Sequence, residues 1–131
     1  MILLDTHVLV WWVADAARLS ARAKREIRSA LRKGHLAASA ISLFEISTAI
    51  RRRRLVLAVP PEQWLSDIRL LPEQRFEPVS AEIAEVAGSF NEAVPGDPAD
   101  RIIAATAITL DLKLVTADEG LLRAPRLRAV W

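Results

Sequence analysis

The chain contains no cysteine and no tyrosine, and only three of its 131 residues are phenylalanine. The lack of cysteine excludes disulfide bonds and thiolate-bound metals, and it favours a reducing compartment, which we expect to be the cytoplasm. With so few aromatic rings, stacking on aromatic side chains is not an expected mode of ligand recognition. Long apolar runs are missing too, because Asp5 and Asp15 interrupt the N-terminal segment MILLDTHVLVWWVAD. We expect neither a signal peptide nor a membrane helix there.

The length and composition are those of one globular domain. A chain of 131 residues can bury roughly 65–70% of its unfolded surface. The formal charge is only +2, but residues 18–54 carry eleven Lys or Arg against Glu26 and Glu45, a net charge of +9. Residues 55–131 carry seven basic and twelve acidic side chains, a net charge of −5. A basic face beside an acidic remainder is compatible with a polyanionic partner, although solvated helix faces are often charged as well.

Short apolar segments alternate with segments of helical periodicity, and neither repeats nor linkers divide the chain. The predicted strands are residues 2–4, 35–38, 76–79, 113–115 and 127–130. The predicted helices are residues 8–13, 20–34, 42–54, 62–71, 80–92, 99–110 and the single turn 118–122. This alternation indicates an α/β fold, with a parallel sheet covered by helices on both faces.

Several helix ends carry recognisable signals. Gly34 is typical of the residue that ends a helix. The segment Ser42-Leu-Phe-Glu45 fits a capping box that opens the third long helix. Asp97 is followed by Pro98, which predicts an N-cap and a first helical position for the helix 99–110.

Four acidic residues fall where a predicted strand ends or a predicted helix begins, and they are Asp5, Glu45, Asp100 and Asp118. In open parallel α/β sheets, ligands bind beyond the carboxyl ends of the strands. The four carboxylates are therefore expected to meet at that edge. Clustered carboxylates hold hard divalent metals for phosphodiester chemistry.

Each of the four acids also has a plainer explanation, since an acid in the first turn of a helix is stabilised by the helix dipole by about 0.3–1 kcal/mol. Helix capping does not, however, account for the four acids taken together. Two like charges about 4 Å apart repel by roughly 4 kcal/mol at an effective dielectric constant near 20. A fold that gathers four carboxylates therefore needs protons or cations to neutralise them.

Four different short segments follow one another along the chain in a specific order and spacing. They are Leu-Leu-Asp5-Thr6-His7, Ser42-Leu-Phe-Glu45-Ile-Ser47, Gly96-Asp97-Pro98-Ala-Asp100-Arg101-Ile-Ile-Ala-Ala and Leu-Val-Thr116-Ala-Asp118. Each segment alone is weak evidence for a family, but together they cover essentially the whole chain. In this arrangement the sequence resembles the PIN-domain ribonucleases, and in particular the VapC-type toxins of bacterial toxin–antitoxin pairs.

The resemblance implies a single PIN domain over residues 1–131, with a three-layer α/β/α sandwich and an acidic site at the carboxyl edge of its parallel sheet. It further implies a catalytic, metal-binding set with polar neighbours, namely Asp5, Glu45, Asp100 and Asp118 with Thr6 and Thr116. The metal would be Mg²⁺, with Mn²⁺ as a substitute. Asp97 is expected to serve as a helix cap. His7 stands where many relatives have Asn or Ser, and we expect it to have a hydrogen-bonded structural role.

The resemblance also implies partners: an RNA substrate such as tRNA or rRNA, a VapB-like antitoxin, and a second copy of the chain in a homodimer. Four consecutive arginines, Arg51, Arg52, Arg53 and Arg54, end the predicted third helix. Cations favour the carboxyl end of a helix, but four in a row exceed that need. They are candidates for contact with RNA or with an acidic antitoxin segment. Arg101 is a candidate for steadying the acids.

Other classes of protein share parts of this pattern. An inactive PIN-fold binding module would have no need for all four acids. A haloacid-dehalogenase-like phosphatase would want a second Asp two residues after Asp5, where this chain has His7. A receiver domain would want paired acids near Asp5 and a late Lys at a strand end, and neither is evident in this chain. Flap-nuclease relatives are larger and carry more acids, so a compact ribonuclease is the favoured interpretation.

Overall fold

The computed structural model describes every residue from Met1 to Trp131, and its centre is a five-stranded parallel sheet. The strands are β1 (Ile2–Leu4), β2 (Leu36–Ser39), β3 (Gln74–Glu77), β4 (Lys113–Val115) and β5 (Ala129–Val130). Their order across the sheet is β3-β2-β1-β4-β5. In the central register, Leu4 lies opposite Ala38 on one side and Val115 on the other. The chain therefore leaves the sheet at nearly the same level after β1, β2 and β4.

Seven helices connect and cover the strands. They are α1 (Thr6–Ala14), α2 (Ala21–Lys33), α3 (Ala40–Arg51), α4 (Pro61–Arg69), α5 (Ala81–Ser89), α6 (Pro98–Thr109) and α7 (Glu119–Leu122). A short 3₁₀ turn, Ala16–Arg18, joins α1 to the loop before α2. No helix has both the length and the apolar character needed to cross a membrane.

The two faces of the sheet bury separate apolar cores. In β1, Ile2 and Leu4 point into one core, which they share with side chains of α1, α2, α3 and α4. Leu3, between them, points into the other core, which is covered by α6 and α7. This alternation follows from the two-residue period of a strand. It confirms the predicted α/β/α sandwich.

The third helix begins earlier than the sequence predicts. Ser39 is its N-cap, with the Ser39 side chain accepting a hydrogen bond from the Ile41 N–H at 3.1 Å. The predicted capping box at Ser42 is therefore wrong, because Ser42 lies inside the first turn and is fully buried. As a consequence, Glu45 lies in the second turn of α3 and cannot be explained as a capping partner of Ser42.

Other elements also differ from prediction at their ends, among them β3 and α5. Strand β3 is Gln74–Glu77, two residues before the predicted segment 76–79. Helix α5 stops at Ser89 instead of near residue 92, because Phe90 turns the backbone to an extended conformation. In both places apolar residues continue past the element, so apolar pattern alone misplaces the boundary.

Three helices end in the same hydrogen-bonded motif, with a residue of positive φ just past the helix. That residue is Gly34 after α2, Arg53 after α3 and Asp111 after α6. At the end of α3, the Arg53 N–H donates to Ile50 O at 3.0 Å and the Arg54 N–H donates to Ala49 O at 2.8 Å. This is a Schellman motif, in which glycine is the usual residue at the position that Arg53 occupies.

We expect Arg53→Gly to raise the free energy of unfolding by about 0.5–1 kcal/mol, because a side chain at φ 58° is strained whereas glycine is not. Arg52→Gly is the matched control, since it removes the same charge one residue earlier, where φ is −85°. It should lower the free energy of unfolding by about 0.5–1 kcal/mol. Urea denaturation of both variants checks the prediction, and equal effects would contradict it.

Candidate metal centre

Five carboxylates are carried to the carboxyl edge of the sheet by four separate parts of the chain. Asp5 follows β1, Asp118 lies three residues beyond the end of β4, and Glu45 projects from α3. Asp97 and Asp100 stand at the start of α6. The parallel register places these segments at one edge, where Glu45 and Asp100 come together with Asp97, while Asp5 and Asp118 are near enough to raise the pKa of Asp100.

The tightest part of the group is formed by Glu45, Asp97 and Asp100. One carboxylate oxygen from each lies within 4.8 Å of the others. The sequence assigned Asp97 a capping role, and it does cap α6, accepting from the Asp100 N–H at 3.0 Å. Capping and clustering are thus compatible, because the cap engages only one oxygen of the carboxylate.

Asp5 and Asp118 are joined by the buried hydroxyl of Thr116. That hydroxyl donates to Asp5 Oδ2 at 2.6 Å and accepts from the Asp118 N–H at 3.0 Å. Asp5 itself is only 2% exposed. A single threonine therefore sets the position of one acid relative to another across the β1–β4 pairing.

Glu45 is held by a second pair of hydroxyls. Thr6 Oγ1 donates to Glu45 Oε1 at 2.5 Å and lies 2.8 Å from Ser42 Oγ. Since the Thr6 proton goes to Glu45, Ser42 must be the donor to Thr6. Ser42 was not among the predicted site residues. Its position one turn before Glu45 on α3 was the available signal, but the capping-box pattern hid it.

Several carboxylate oxygens in the group have no protein hydrogen-bond partner. The caps formed by Asp97 and Asp118 use Oδ1 in each residue and leave Oδ2 free. Glu45 keeps Oε2 free, and the Asp100 carboxylate accepts no hydrogen bond at all. The fold thus orients these side chains while leaving carboxylate oxygens without a protein partner.

Asp100 experiences the strongest electrostatic effect in the group. Burial, followed by repulsion from Asp5, Asp97, Glu45 and Asp118, raises the pKa of its carboxyl from 3.8 to about 7. The pKa of Glu45 is also raised, chiefly by burial, with Asp5 and Asp97 adding to the effect and the Thr6 hydrogen bond opposing it. Without a cation, the group is therefore a site of unrelieved negative charge near neutral pH.

The donor set suits a hard divalent cation. It consists of carboxylate oxygens, which Mg²⁺, Mn²⁺ and Ca²⁺ prefer, and it contains no cysteine and no free imidazole. Glu45, Asp97 and Asp100 are close enough to share one ion, and the charges of Asp5 and Asp118 act on Asp100. A cation at this point would neutralise the charges that raise the pKa of Asp100.

His7 has a defined hydrogen bond beside the acids. Its Nε2 accepts from the Ala117 N–H at 3.1 Å, so the ring proton of the neutral imidazole resides on Nδ1. Nδ1 faces Asp5 Oδ2 at 3.6 Å. The ring also packs against Trp11, with centroids 4.9 Å apart. His7 thus links the β4–α7 loop to α1 and has no nitrogen lone pair directed at the site.

Arg101 does not contact the acids. Its guanidinium donates instead to backbone carbonyls at the end of α5 and in the following loop, including Phe90 O at 2.8 Å and Asn91 O at 3.2 Å. The expectation that Arg101 steadies Asp100 is therefore wrong. Arg101 fixes the loop that leads into Asp97, and so it acts on the cluster only through the backbone.

The four consecutive arginines are exposed at the end of α3, and none forms an ion pair. Arg51, Arg52 and Arg54 line a groove that also reaches Glu45 and Asp97. Three of the four arginines and two of the acids therefore line one continuous depression.

We expect Thr6→Val to weaken Mg²⁺ binding by about 10- to 100-fold, because it removes the donor that orients Glu45 and lowers its pKa. The shape of the side chain is retained. Thr109→Val is the matched control. It makes the same exchange at the carboxyl end of α6, at the opposite end of that helix from Asp97 and Asp100, where no side-chain hydrogen bond is lost, and the variant should bind Mg²⁺ normally. Isothermal titration with Mg²⁺ measures both, and unchanged affinity in Thr6→Val would contradict the role given to Thr6.

A three-layer α/β/α domain with carboxylates gathered at one edge of its parallel sheet is the architecture of a carboxylate-dependent metal site. The PIN domain profile matches residues 2–127. The chain belongs to the PIN-domain family.

Within the family, the chain is similar to Ribonuclease VapC22 of Mycobacterium tuberculosis (strain ATCC 25618 / H37Rv), with 40% identity over 132 residues that cover 99% of this chain and 98% of the relative. Among solved structures, it resembles VapBC2 from Rickettsia felis bound to a DNA fragment from their promoter, with a TM-score of 0.73 and 21% identity over 99% and 98% of the two chains. A toxin-antitoxin complex from Klebsiella pneumoniae gives a TM-score of 0.66 and 19% identity over 100% and 97%. The structural neighbours establish the fold.

Proposed function

We propose that this chain, as a single PIN domain over residues 1–131, is a metal-dependent endoribonuclease and the toxin of a toxin–antitoxin pair. The observation that carries the proposal is the cluster of Glu45, Asp97 and Asp100, whose carboxylate oxygens lie within 4.8 Å of one another, with Asp5 and Asp118 near enough to raise the pKa of Asp100. The 40% identity to Ribonuclease VapC22 over nearly the whole chain supports RNA as the substrate. The likeness to toxin–antitoxin structures supports a VapB-like antitoxin, and by family resemblance we extend the proposal to a homodimer in the cytoplasm.

The proposed metal is Mg²⁺, with Mn²⁺ able to replace it, held by Glu45, Asp97 and Asp100 with Asp5 and Asp118 at the border. When bound, such an ion supplies a more acidic water and neutralises charge on the phosphate. The remaining work belongs to positioning groups in the chain. Thr6 and Ser42 orient Glu45, and Thr116 orients Asp5 relative to Asp118.

No side chain in the site is free to act as a nucleophile on a substrate. The Thr116 hydroxyl is fully buried and accepts from the Asp118 N–H, the Thr6 oxygen accepts from Ser42, and His7 accepts a backbone N–H through Nε2. We therefore assign the attacking group to water, and the acids to holding the ion that activates it.

The test is incubation of purified protein with a panel of tRNAs and rRNA fragments, in Mg²⁺, in Mn²⁺ and in EDTA. We expect cleavage with either ion, none in EDTA, and a loss of about 100-fold or more in Asp5→Asn protein, which also controls for contaminating nucleases. Metal binding without cleavage of any RNA would instead indicate a binding module that kept the fold. Equal cleavage by Asp5→Asn would remove Asp5 from the site.

A further inference from the structure

The groove beside the acids has opposite charge at its two ends. It lies between α3 and the start of α6 and encloses about 450 Å³. Glu45 and Asp97 stand at one end, and Arg51, Arg52 and Arg54 at the other. The arginines are exposed and form no ion pairs with the protein. Their positive charge is therefore available to a ligand that also reaches the metal centre.

Phe44 forms part of the wall of this groove, immediately before Glu45 in the chain. Its side chain is 67% exposed, and among the large apolar residues exposed on the protein it is the only aromatic one. A single exposed apolar residue needs no explanation on its own. The location of this one does, because it lines the groove beside Glu45, with the arginines further along α3.

Resting on the proposed function, we infer that this groove holds a single strand of RNA with one base stacked on Phe44. A nucleic-acid strand presents phosphates and flat bases together, and the groove offers carboxylates and an aromatic ring at one end and arginines at the other. Phe44 and Arg51 are seven residues apart on α3, about 10 Å along the helix axis. That spacing corresponds to roughly three stacked nucleotides.

The stacking contact requires an unpaired nucleotide. In a duplex, both faces of a base are covered by its neighbours, whereas proteins bind splayed single-stranded bases on aromatic rings. The substrate at this site is therefore a loop, a bulge or a free strand, with the stacked base next to the scissile phosphate. Arg51 and Arg54 contact the phosphates further along.

The test pairs a protein change with a substrate change. Phe44→Ala should lower kcat/KM for a single-stranded oligonucleotide by about 10-fold, with a range of roughly 5- to 100-fold. Phe44→Trp should retain cleavage. An oligonucleotide with one abasic position next to the cleaved bond should lose about as much in the unsubstituted protein. Combined, the two changes should cost no more than either alone, since both remove the same stack.

Controls separate this contact from general effects. Val56→Ala removes an apolar side chain that is 88% exposed but outside the groove, and it should cleave normally. Replacing Arg51 and Arg54 together by Ala should reduce the slope of log affinity against log salt by about 1.4. Arg53→Gly removes one charge that does not line the groove and should leave the slope unchanged.

Binding of the same oligonucleotides, measured by fluorescence anisotropy in Ca²⁺ buffer, extends the test to conditions without cleavage. Phe44→Ala should weaken binding by about 10-fold. Unchanged binding and cleavage in Phe44→Ala would overturn the inference. An equal loss of cleavage wherever the abasic position is placed in the oligonucleotide would also overturn it, and the groove would then be assigned to a protein partner. Absence of cleavage by the unsubstituted protein, with the Phe44 effect on binding intact, would overturn the nuclease proposal alone.

Discussion

Asp100→Asn protein should unfold at a higher temperature than the unsubstituted protein in metal-free buffer near pH 8, while its RNA cleavage falls by about 100-fold or more. The two effects have opposite signs because the same charge destabilises the empty fold and binds the ion. Replacement of a residue with a purely structural role would lower both the unfolding temperature and the rate of RNA cleavage.

The stability gain follows from the surroundings of Asp100. Burial disfavours its ionised form and four other carboxylates repel it, so its pKa is raised to about 7. No hydrogen bond to its carboxylate is lost in the exchange for Asn. Because the side chain is only half-buried, solvent screens much of the repulsion, and we expect roughly 1 kcal/mol, or about 3–6 °C for a chain of this size.

Thermal unfolding followed by circular dichroism, with EDTA present, measures the first effect, and a cleavage assay in Mg²⁺ measures the second. Asp67→Asn is the matched control, because Asp67 is exposed on α4 and forms no ion pair. It should change neither quantity. A lower unfolding temperature for Asp100→Asn would show that Asp100 contributes to the fold instead of straining it.

Magnesium affinity should rise by roughly 30-fold between about pH 5.5 and pH 8, because Asp100 must release its proton before it can bind the ion. The raised pKa of Glu45 makes the dependence steeper. In Asp100→Asn protein the affinity should be weak at both pH values, and the change between them should be much smaller.

The metal-free protein should show the reverse trend in stability. The carboxyl of Asp100 has a pKa of about 7 in the folded chain and an ordinary value of 3.8 otherwise. The folded state therefore holds a proton that the unfolded state has released over this interval. Its contribution to stability is full below about pH 4 and is lost as the pH rises through 7.

Titration calorimetry at several pH values tests the first trend, and unfolding in EDTA over the same range tests the second. Proton release, detected as a dependence of the binding heat on buffer ionisation, should accompany Mg²⁺ binding near neutral pH. Affinity that stays constant from pH 5.5 to 8 would contradict the assignment of Asp100 as a ligand.

Much of the site follows from sequence because strands and their ends are strongly patterned. Residues 2–4 and 113–115 are short apolar segments, each followed closely by an acid, and parallel pairing brings Asp5 and Asp118 to one edge. The helix start at Asp97-Pro98 is equally recognisable in the sequence and brings Asp100 to the same edge. The convergence of these acids needed only the topology, not the details of packing.

Details that depend on three-dimensional contacts were not predictable. The Ser42 hydroxyl meets Thr6 across 36 residues of sequence, while its local pattern imitates a capping box. Arg101 lies beside Asp100 in sequence but turns toward the loop after α5. Helices α3 and α6 end without glycine because Arg53 and Asp111 adopt the positive φ themselves. Neither the composition nor the periodicity marks such positions.

The small number of aromatic residues is a weak basis for the expectation about recognition, which stays a prediction. A count of three Phe says nothing about where each one lies. One of them, Phe44, is exposed beside the acids, whereas other large apolar residues such as Ile46 are buried in the core. For binding, the position of one ring matters more than the abundance of the type.

Crystals soaked in Mn²⁺ would show whether these carboxylates hold a divalent metal. An anomalous difference map should show a peak within bonding distance of Glu45, Asp97 and Asp100, with Asp5 and Asp118 beside it. Crystals of Asp100→Asn protein should lose that peak or show it much weakened. A map with no peak among these acids, from protein that cleaves RNA in Mn²⁺, would contradict the account.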